Sequence, residues 1–416
     1  MVTMPERPDP TPDAPRRAVV VGGGIAALET MLALHELAPG RVDMTLVAPE
    51  PDFSLRPLSV SVPFGRGGAK TIPLADVVAE HDATFVRDAV FAVEPDRRVV
   101  VCAGGSELPY DDLVLTPGAR AVSAYDRGLT FDPHEAGALS GVVADLEQGW
   151  SHSVAFVVPP GCTWPLPLYE LALMTAEQVW GMGIDGVTIH LITPEAAPLD
   201  VFGKEASDAL AELLKAGHIT FHGSADAQVH RAGQVDIGNG KTIDVDRIVA
   251  IPLLTGPRIA GVPADEEGFI AIDEYGRVPG LEGVWAAGDG TQQPIKQGGL
   301  ACQQADAIAG QIAAKAGADV QVGPAVLVLR GRLLAGQQDR FLHRTVGMER
   351  SQAESKALWW PPAKVASRHL APYLEGKGLV APDPSEPRSE GTVDVHVPID
   401  WTSSNRPDRL GLSSLG

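Results

Sequence analysis

Cysteine is scarce in this chain. Cys102, Cys162 and Cys302 are the three among 416 residues. They are too few and too scattered for a disulfide scaffold or a zinc site, so a reducing cytoplasm is the expected setting. Long apolar runs are missing as well: nothing reaches the roughly 18 consecutive residues of a membrane-spanning helix. Positive charge is in short supply, with 33 Lys and Arg against 53 Asp and Glu and a formal charge of −20. That balance argues against nucleic acid as a partner and disfavours an anionic membrane surface. The histidines show no metal-ligand spacing, and no Ser-His-Asp arrangement can be read from the residue order. Arg16-Arg17 precedes an apolar run, as in an export signal, but no small-residue cleavage site follows, so export is rejected.

What is present is enough apolar sequence, 44%, for sizeable cores, and enough length for two or three domains. Met1 to Pro15, rich in proline and acids, reads as a flexible tail. The stretch from Arg17 to Thr30 then runs R-A-V-V-V-G-G-G-I-A-A-L-E-T. A β-branched strand, Ala18 to Val21, meets Gly22, Gly23 and Gly24, and a helix follows from Ile25 to Leu37. Glycines let backbone approach a phosphate, and a helix N-terminus offers it free N–H groups and partial positive charge. Gly22-x-Gly24-x-x-Ala27 fits the dinucleotide fingerprint with alanine third. The alternative is an ordinary glycine-rich turn.

Asp43 to Val47 reads as the second strand. An acid that would bind ribose belongs at its tip, where Ala48-Pro49 stand, and Glu50 comes two residues late. Glu50 either reaches the ribose or is a solvent-facing carboxylate. Phe53 to Leu58 reads F-S-L-R-P-L, and Gly65 to Gly68 is a glycine-rich loop. Thr84–Val86 and Val99–Cys102 are expected to form a hairpin around Glu94 to Arg98. Leu113–Leu115 is a strand ending in Thr116-Pro117-Gly118.

From about Ser151 a second β-α-β series is expected: strand Ser153–Val158, helix Leu168–Trp180, strand Gly186–Ile192, helix Lys204–Ala216, strand Ile219–His222. After Val158 come Pro159-Pro160-Gly161-Cys162-Thr163-Trp164-Pro165-Leu166-Pro167 in place of three glycines. Prolines remove N–H donors and tryptophan fills space, so this second dinucleotide site reads as degraded or closed. Gln234–Asp244 is a hairpin around Asn239-Gly240, Arg247–Leu253 an apolar strand, and Gly268–Val278 a β-rich connection. Val284 to Gln304 carries a strand ending in Gly288-Asp289 and a helix beginning near Gln297. A carboxylate at that strand tip is well placed to accept from sugar hydroxyls. In the last hundred residues, strands Ala325–Leu334 and Arg340–Val346 and a helix Lys364–Leu374 are expected. A linker Ala381–Gly391 and a strand Thr392–Val397 follow.

Four segments in order therefore carry a resemblance: the fingerprint Gly22-Gly24-Ala27, F-S-L-R-P-L, L-V-L-T-P-G-A, and the A-A-G-D block. The chain resembles the FAD-dependent pyridine nucleotide–disulfide oxidoreductase superfamily over roughly Ala18 to Ala314. Within it, the branch of type II NADH dehydrogenases, sulfide:quinone reductases and flavocytochrome c sulfide dehydrogenases is the most similar. The resemblance implies an α/β fold with two Rossmann-like domains, the second inserted in the first, plus a C-terminal α+β interface domain. The expected units are a tail (1–16), a split FAD-binding domain (17–150 and 270–318), a degenerate NAD(P)-binding domain (151–269) and the interface domain (319–416). It further implies that Gly22 and Gly24 approach the FAD pyrophosphate and that Ala27 allows helix packing. Glu50, Arg56, Thr116, Gly118 and Gly288 would lie along the cofactor, and Asp289 would bind its ribityl–pyrophosphate region. Lys296 matches a lysine that sulfide:quinone reductases place near the flavin pyrimidine, its alternative being a surface loop. Glu170 matches a glutamate found near flavin N5, its alternative a first-turn acid.

The departures from the family pattern matter equally. No C-x4-C pair sits on the first helix, which excludes disulfide reduction through one. Cys162 lies where one sulfide:quinone reductase cysteine is expected, as a redox thiol or a structural residue. Cys302 comes too soon to match the other and reads as a packing residue. Gln303 matches one of two quinone-site glutamines of the type II NADH dehydrogenases; Gly299 stands at the other. Trp359-Trp360-Pro361-Pro362 either lines an acceptor pocket or anchors the C-terminal segment. The expected activity is two-electron transfer through FAD, from a small-molecule donor (NAD(P)H being a candidate) to a quinone-like or protein acceptor. A flavin-containing sensor without efficient turnover and a sulfide:quinone reductase-like enzyme are the alternatives. A homo-oligomer is compatible with the sequence.

Overall fold

The computed structural model describes residues 14–380, apart from 68–69, 239, 336–338 and 346–350. Its helices are α1 (Ile25–Leu37), α2 (Leu74–Glu80), α3 (Ala138–Glu147), α4 (Leu166–Gly181), α5 (Lys204–Ala216), α6 (Gly298–Lys315) and α7 (Leu370–Gly376). Two five-stranded sheets organise the chain. The first runs, in spatial order, Val284–Ala286, Asp112–Leu115, Arg16–Val21, Val42–Val47 and Thr84–Val86, all parallel. The second runs Leu129–Thr130, Arg247–Ala250, Ser153–Val157, Thr188–Ile192 and Ile219–His222, again all parallel. Parallel sheets are covered on both faces, which is why the central strands read as continuous apolar runs. Val154 to Val157 and Leu113 to Leu115 are fully buried.

Every strand of the second sheet lies, in sequence, between Asp112–Leu115 and Val284–Ala286, which are neighbours in the first. The two crossings run side by side: Arg120–Val122 pairs antiparallel with Leu253–Thr255. Helices α1 and α6 pack together on the first sheet through small faces, Ala26, Ala27 and Ala33 meeting Ala301, Ala305 and Ala309. Residues 26 to 34 of α1 are all buried, so this helix is wrapped by protein on every side. A 3₁₀ helix, Arg56–Phe64, lies against α3 and α4 and ties the F-S-L-R-P-L segment to the second unit. Near the C-terminus, Val328–Leu333, Arg340–Thr345 and Ser351–Glu354 form an antiparallel sheet.

Several expectations are corrected. Thr84–Val86 is not the hairpin partner of Val99–Cys102. It is the edge of the first sheet, because α2 just before it makes a crossover that delivers a parallel strand. The hairpin is Val90–Glu94 with Val99–Cys102, extended by Glu107–Pro109. The strand from Arg247 stops at Ala250, and Gly268–Val278 makes isolated bridges only. The last helix starts at Leu370, not Lys364. Side chains from elsewhere hold residues 364–370: Glu170 takes the Lys364 ammonium, and Glu29 takes the amides of Arg368, His369 and Leu370. The linker Ala381–Gly391 and strand Thr392–Val397 lie outside the described residues, as do most of the tail and Asn239.

Candidate cofactor site at the first helix

Strand Arg16–Val21 ends in Gly22, whose φ is +123°. A β-carbon there would collide with the Thr116 carbonyl, so only glycine allows strand and Thr-Pro-Gly turn to meet. Thr116 fastens the contact, since its N–H (2.8 Å) and its hydroxyl (2.7 Å) both donate to the Val21 carbonyl. Gly23 is pressed against Leu74 and Ala48, whereas a β-carbon on Gly24 would meet nothing within 4 Å. The backbone is therefore tight at Gly22 and open at Gly24. The N–H groups of Gly23 to Ala27 bond to no atom among the described residues, which leaves a run of donors at the positive end of α1.

The aspartate block interlocks with this turn. Gly288 has φ +80°, and a β-carbon on it would lie 3.4 Å from the β-carbons of Ala26 and Ala301. One on Gly290 would lie 2.8 Å from the Gly118 carbonyl. Gln304 of α6 accepts the Gly288 N–H at 2.8 Å and holds the turn from behind. Asp289 thus emerges beside the first turn of α1 and the Thr-Pro-Gly turn. It is partly exposed, yet protein crowds its carboxyl enough to push the pKa up, with nearby Lys296 opposing. Among the described residues no hydrogen bond ends on that carboxylate. Open space over Gly24, unpaired donors and an unpaired carboxylate on adjoining turns fit a ligand carrying phosphates and hydroxyls, and so fit FAD.

Lys296 is buried, against expectation for a loop lysine. Its ammonium donates to the Thr291 carbonyl and sits 3.8 Å from the Phe269 ring centroid. Burial pulls its pKa down to about 8, with Asp289 and Asp265 opposing. Gln297 caps α6, its side chain accepting from the Leu300 N–H at 2.8 Å. Glu50 and Arg56 are both exposed, and neither forms an ion pair among the described residues. Gln303 is bound to backbone: it accepts from Val328 N–H at 2.6 Å and donates to the Gly299 and Val328 carbonyls.

Glu170, one turn into α4, is completely buried. One carboxylate oxygen accepts from the Lys364 ammonium and from Leu334 N–H at 2.7 Å; the other has no partner. Burial raises its pKa to about 7 despite Lys364. The Trp cluster is an anchor in part: buried Trp359 donates to the Ala363 carbonyl at 3.1 Å and stacks edge-on against Phe341. The three cysteines fall in three separate cores: Cys162 around α4, Cys302 between α1 and α6, Cys102 under the hairpin. Burial pushes the Cys162 thiol up to about 12, so it is protonated and unreactive at neutral pH.

Sequence reasoning missed Lys364, Glu29 and Glu195. All three are buried charged residues, and a lone charge inside an apolar run, as in W-P-P-A-K-V-A or A-L-E-T-M-L, signals a buried partner. No cluster of three or more metal-ligating side chains occurs among the described residues, and no described helix is long and apolar enough to cross a membrane.

The chain is similar to several known proteins. The family model described as pyridine nucleotide-disulphide oxidoreductase matches residues 170–305. An NADH dehydrogenase-like protein of Mycobacterium tuberculosis is 27% identical over 299 residues, covering 66% of this chain and 72% of the relative. The sulfide:quinone oxidoreductase of Aquifex aeolicus shares the fold with a TM-score of 0.75 at 19% identity, over 82% of this chain and 86% of that one. NDH2 from Plasmodium falciparum gives a TM-score of 0.55 at 15% identity, over 68% and 65%. With strand, glycine turn, helix and aspartate block in place, the chain is similar to the pyridine nucleotide-disulphide oxidoreductases over residues 170–305 and shares its fold with the sulfide:quinone oxidoreductase.

Proposed function

We propose that the protein binds FAD between the first turn of α1 and Asp289 and carries two electrons from a small-molecule donor to a quinone-like or protein acceptor. The observation that carries this reading is the convergence on one place of the unpaired amides from Gly23 to Ala27 and the unpaired Asp289 carboxylate. The amides and Gly22-Gly24 hold the pyrophosphate; Asp289 accepts from sugar hydroxyls; Ala27 lets α1 sit close to α6. Thr116 and Gly118 keep the intervening turn in register, and Glu50 and Arg56 stand at the outer rim. When bound, FAD supplies two-electron transfer at its isoalloxazine ring. Lys296 and the N-terminal end of α6 supply positive potential that favours an electron-rich bound state. Glu170, with one free carboxylate oxygen and a pKa of about 7, can hold or release a proton near neutral pH.

The test is spectroscopic. The purified protein is expected to be yellow and to release FAD on denaturation, and Asp289→Ala is expected to lose the flavin while keeping its helical content. Anaerobic addition of sulfide, NADH or NADPH reads the donor: bleaching of the flavin within seconds identifies it. A flavoprotein that no donor bleaches supports the second reading, a flavin-containing sensor without efficient turnover, which the crowded N-terminus of α4 favours. Sulfide:quinone reductase chemistry through a cysteine pair is the weakest reading, because Cys162 and Cys302 lie in different cores.

A further inference from the structure

The second parallel sheet repeats the first in topology, yet the place where it would hold a dinucleotide is built differently. In such a fold the pyrophosphate lies on the N-terminus of the helix after the first strand, and an acid at the tip of the second strand takes the ribose. Here the helix is α4 and the acid is Glu195, just beyond Thr188–Ile192.

Between Val158 and Leu168 the backbone has few donors to offer. Pro159, Pro160, Pro165 and Pro167 have no N–H. Val158 N–H is spent on Ile192, that of Cys162 on Pro159 and that of Leu168 on Pro165, while the Trp164 backbone bonds the Cys162 thiol. The five consecutive unpaired amides at α1 have no counterpart. Glu195 is 1% exposed; its carboxylate accepts from the Tyr169 hydroxyl at 2.7 Å and from Thr193 at 2.9 Å. Finally, the start of α4 is roofed. A β-carbon on Gly331, in the C-terminal sheet, would lie 2.6 Å from Phe202 and 3.0 Å from Leu166, and Leu334 N–H reaches Glu170.

Resting on the FAD reading for the first site, we infer that the second Rossmann-like unit has converted its dinucleotide site into protein interior. The electron donor is therefore not a nicotinamide nucleotide bound at α4. This runs against the pyridine nucleotide that the family model and the NADH dehydrogenase-like relative suggest. Both halves of the ancestral site are used by the fold itself: the phosphate turn as a proline-stiffened plug around Trp164 and Cys162, the ribose acid as an internal hydrogen-bond acceptor for Tyr169.

The experiment titrates the full-length, flavin-loaded protein with NADH and with NADPH under anaerobic conditions, reading nucleotide fluorescence and heat. The expected result is no saturable binding up to about 1 mM, the upper end of ordinary KM values. Flavin content is measured on the same sample first. A colourless sample counts against the FAD reading alone, and the nucleotide titration still decides this inference. Binding tighter than about 1 mM that excess FAD does not compete away would overturn it. Binding that excess FAD competes away belongs to the N-terminus of α1 and upholds it.

Discussion

At the start of α1, two glycines two positions apart carry different constraints. Gly22 is held at φ +123° against the Thr116 carbonyl. Gly22→Ala is expected to cost at least about 3 kcal/mol of stability, from backbone strain plus collision. Gly24 faces open space with an extended backbone, φ −99°. Gly24→Ala is expected to melt within about 2 °C of the parent yet bind FAD at least about tenfold more weakly. Thermal melts with FAD titration check both, and equal effects at the two positions would count against the division of labour. Glu195 gives a pH signature. Burial raises its carboxyl to about 7 from 4.5, so as pH rises the unfolded chain loses this proton first and the folded chain keeps it longer. The stability this group confers is complete below its unfolded pKa and lost as pH climbs through about 7, a loss on the order of 3 kcal/mol. Relative to Glu195→Gln, which cannot ionise, the parent's urea midpoint should fall between about pH 5 and about pH 8; parallel profiles would refute this. Residues of this kind were the hardest to read in advance. Glu195 drew no notice and Lys364 read as the start of a helix: a lone charge in an apolar run signals burial, but not that its partner, Glu170, stands almost two hundred positions away.

Among the elements, those with strong local signals were legible in the sequence. Arg16–Val21, α1, α4, α5 and the strand pair near residues 328 to 345 all fall where periodicity and turn residues put them. The errors came where a short apolar run can pair in two ways, as at Thr84–Val86, or where tertiary contacts override propensity. The segment before α7 is the plainest case. Glu29 of α1 accepts from Arg368 N–H at 2.9 Å, His369 N–H at 2.9 Å and Leu370 N–H at 2.6 Å. One buried carboxylate thus fastens the C-terminal segment to the first helix, and with it Lys364 against Glu170. Removing it leaves three donors unpaired at about 1–3 kcal/mol each where they stay buried. Glu29→Ala is expected to release the segment, so that limited proteolysis cuts between residues 355 and 380 at least about tenfold faster while α1 and the first sheet stay protected. Glu29→Gln, which still accepts, should be intermediate. Unchanged cleavage in Glu29→Ala would mean that the apolar contacts of Val365 and Leu370 suffice.

For the whole molecule, the design is two similar sheets put to different uses. The first ends in an open glycine turn with unpaired donors and an unpaired acid; the second ends in prolines, a tryptophan and an acid already bonded. The sequence made the first site readable because its glycines and aspartate are local signals with a physical reason for each. It pointed to closure of the second through the prolines. The acid's sequestration depends on Tyr169 of α4 and the roof over α4 on contacts from the C-terminal sheet, and both were beyond it. The most direct test of the first site is to denature the purified chain and quantify the flavin released, then to reload the stripped protein with FAD. An equimolar amount of FAD, lost in Asp289→Ala and restored to the parent by titration, is the predicted result. A colourless protein that folds normally and takes up no FAD would contradict it.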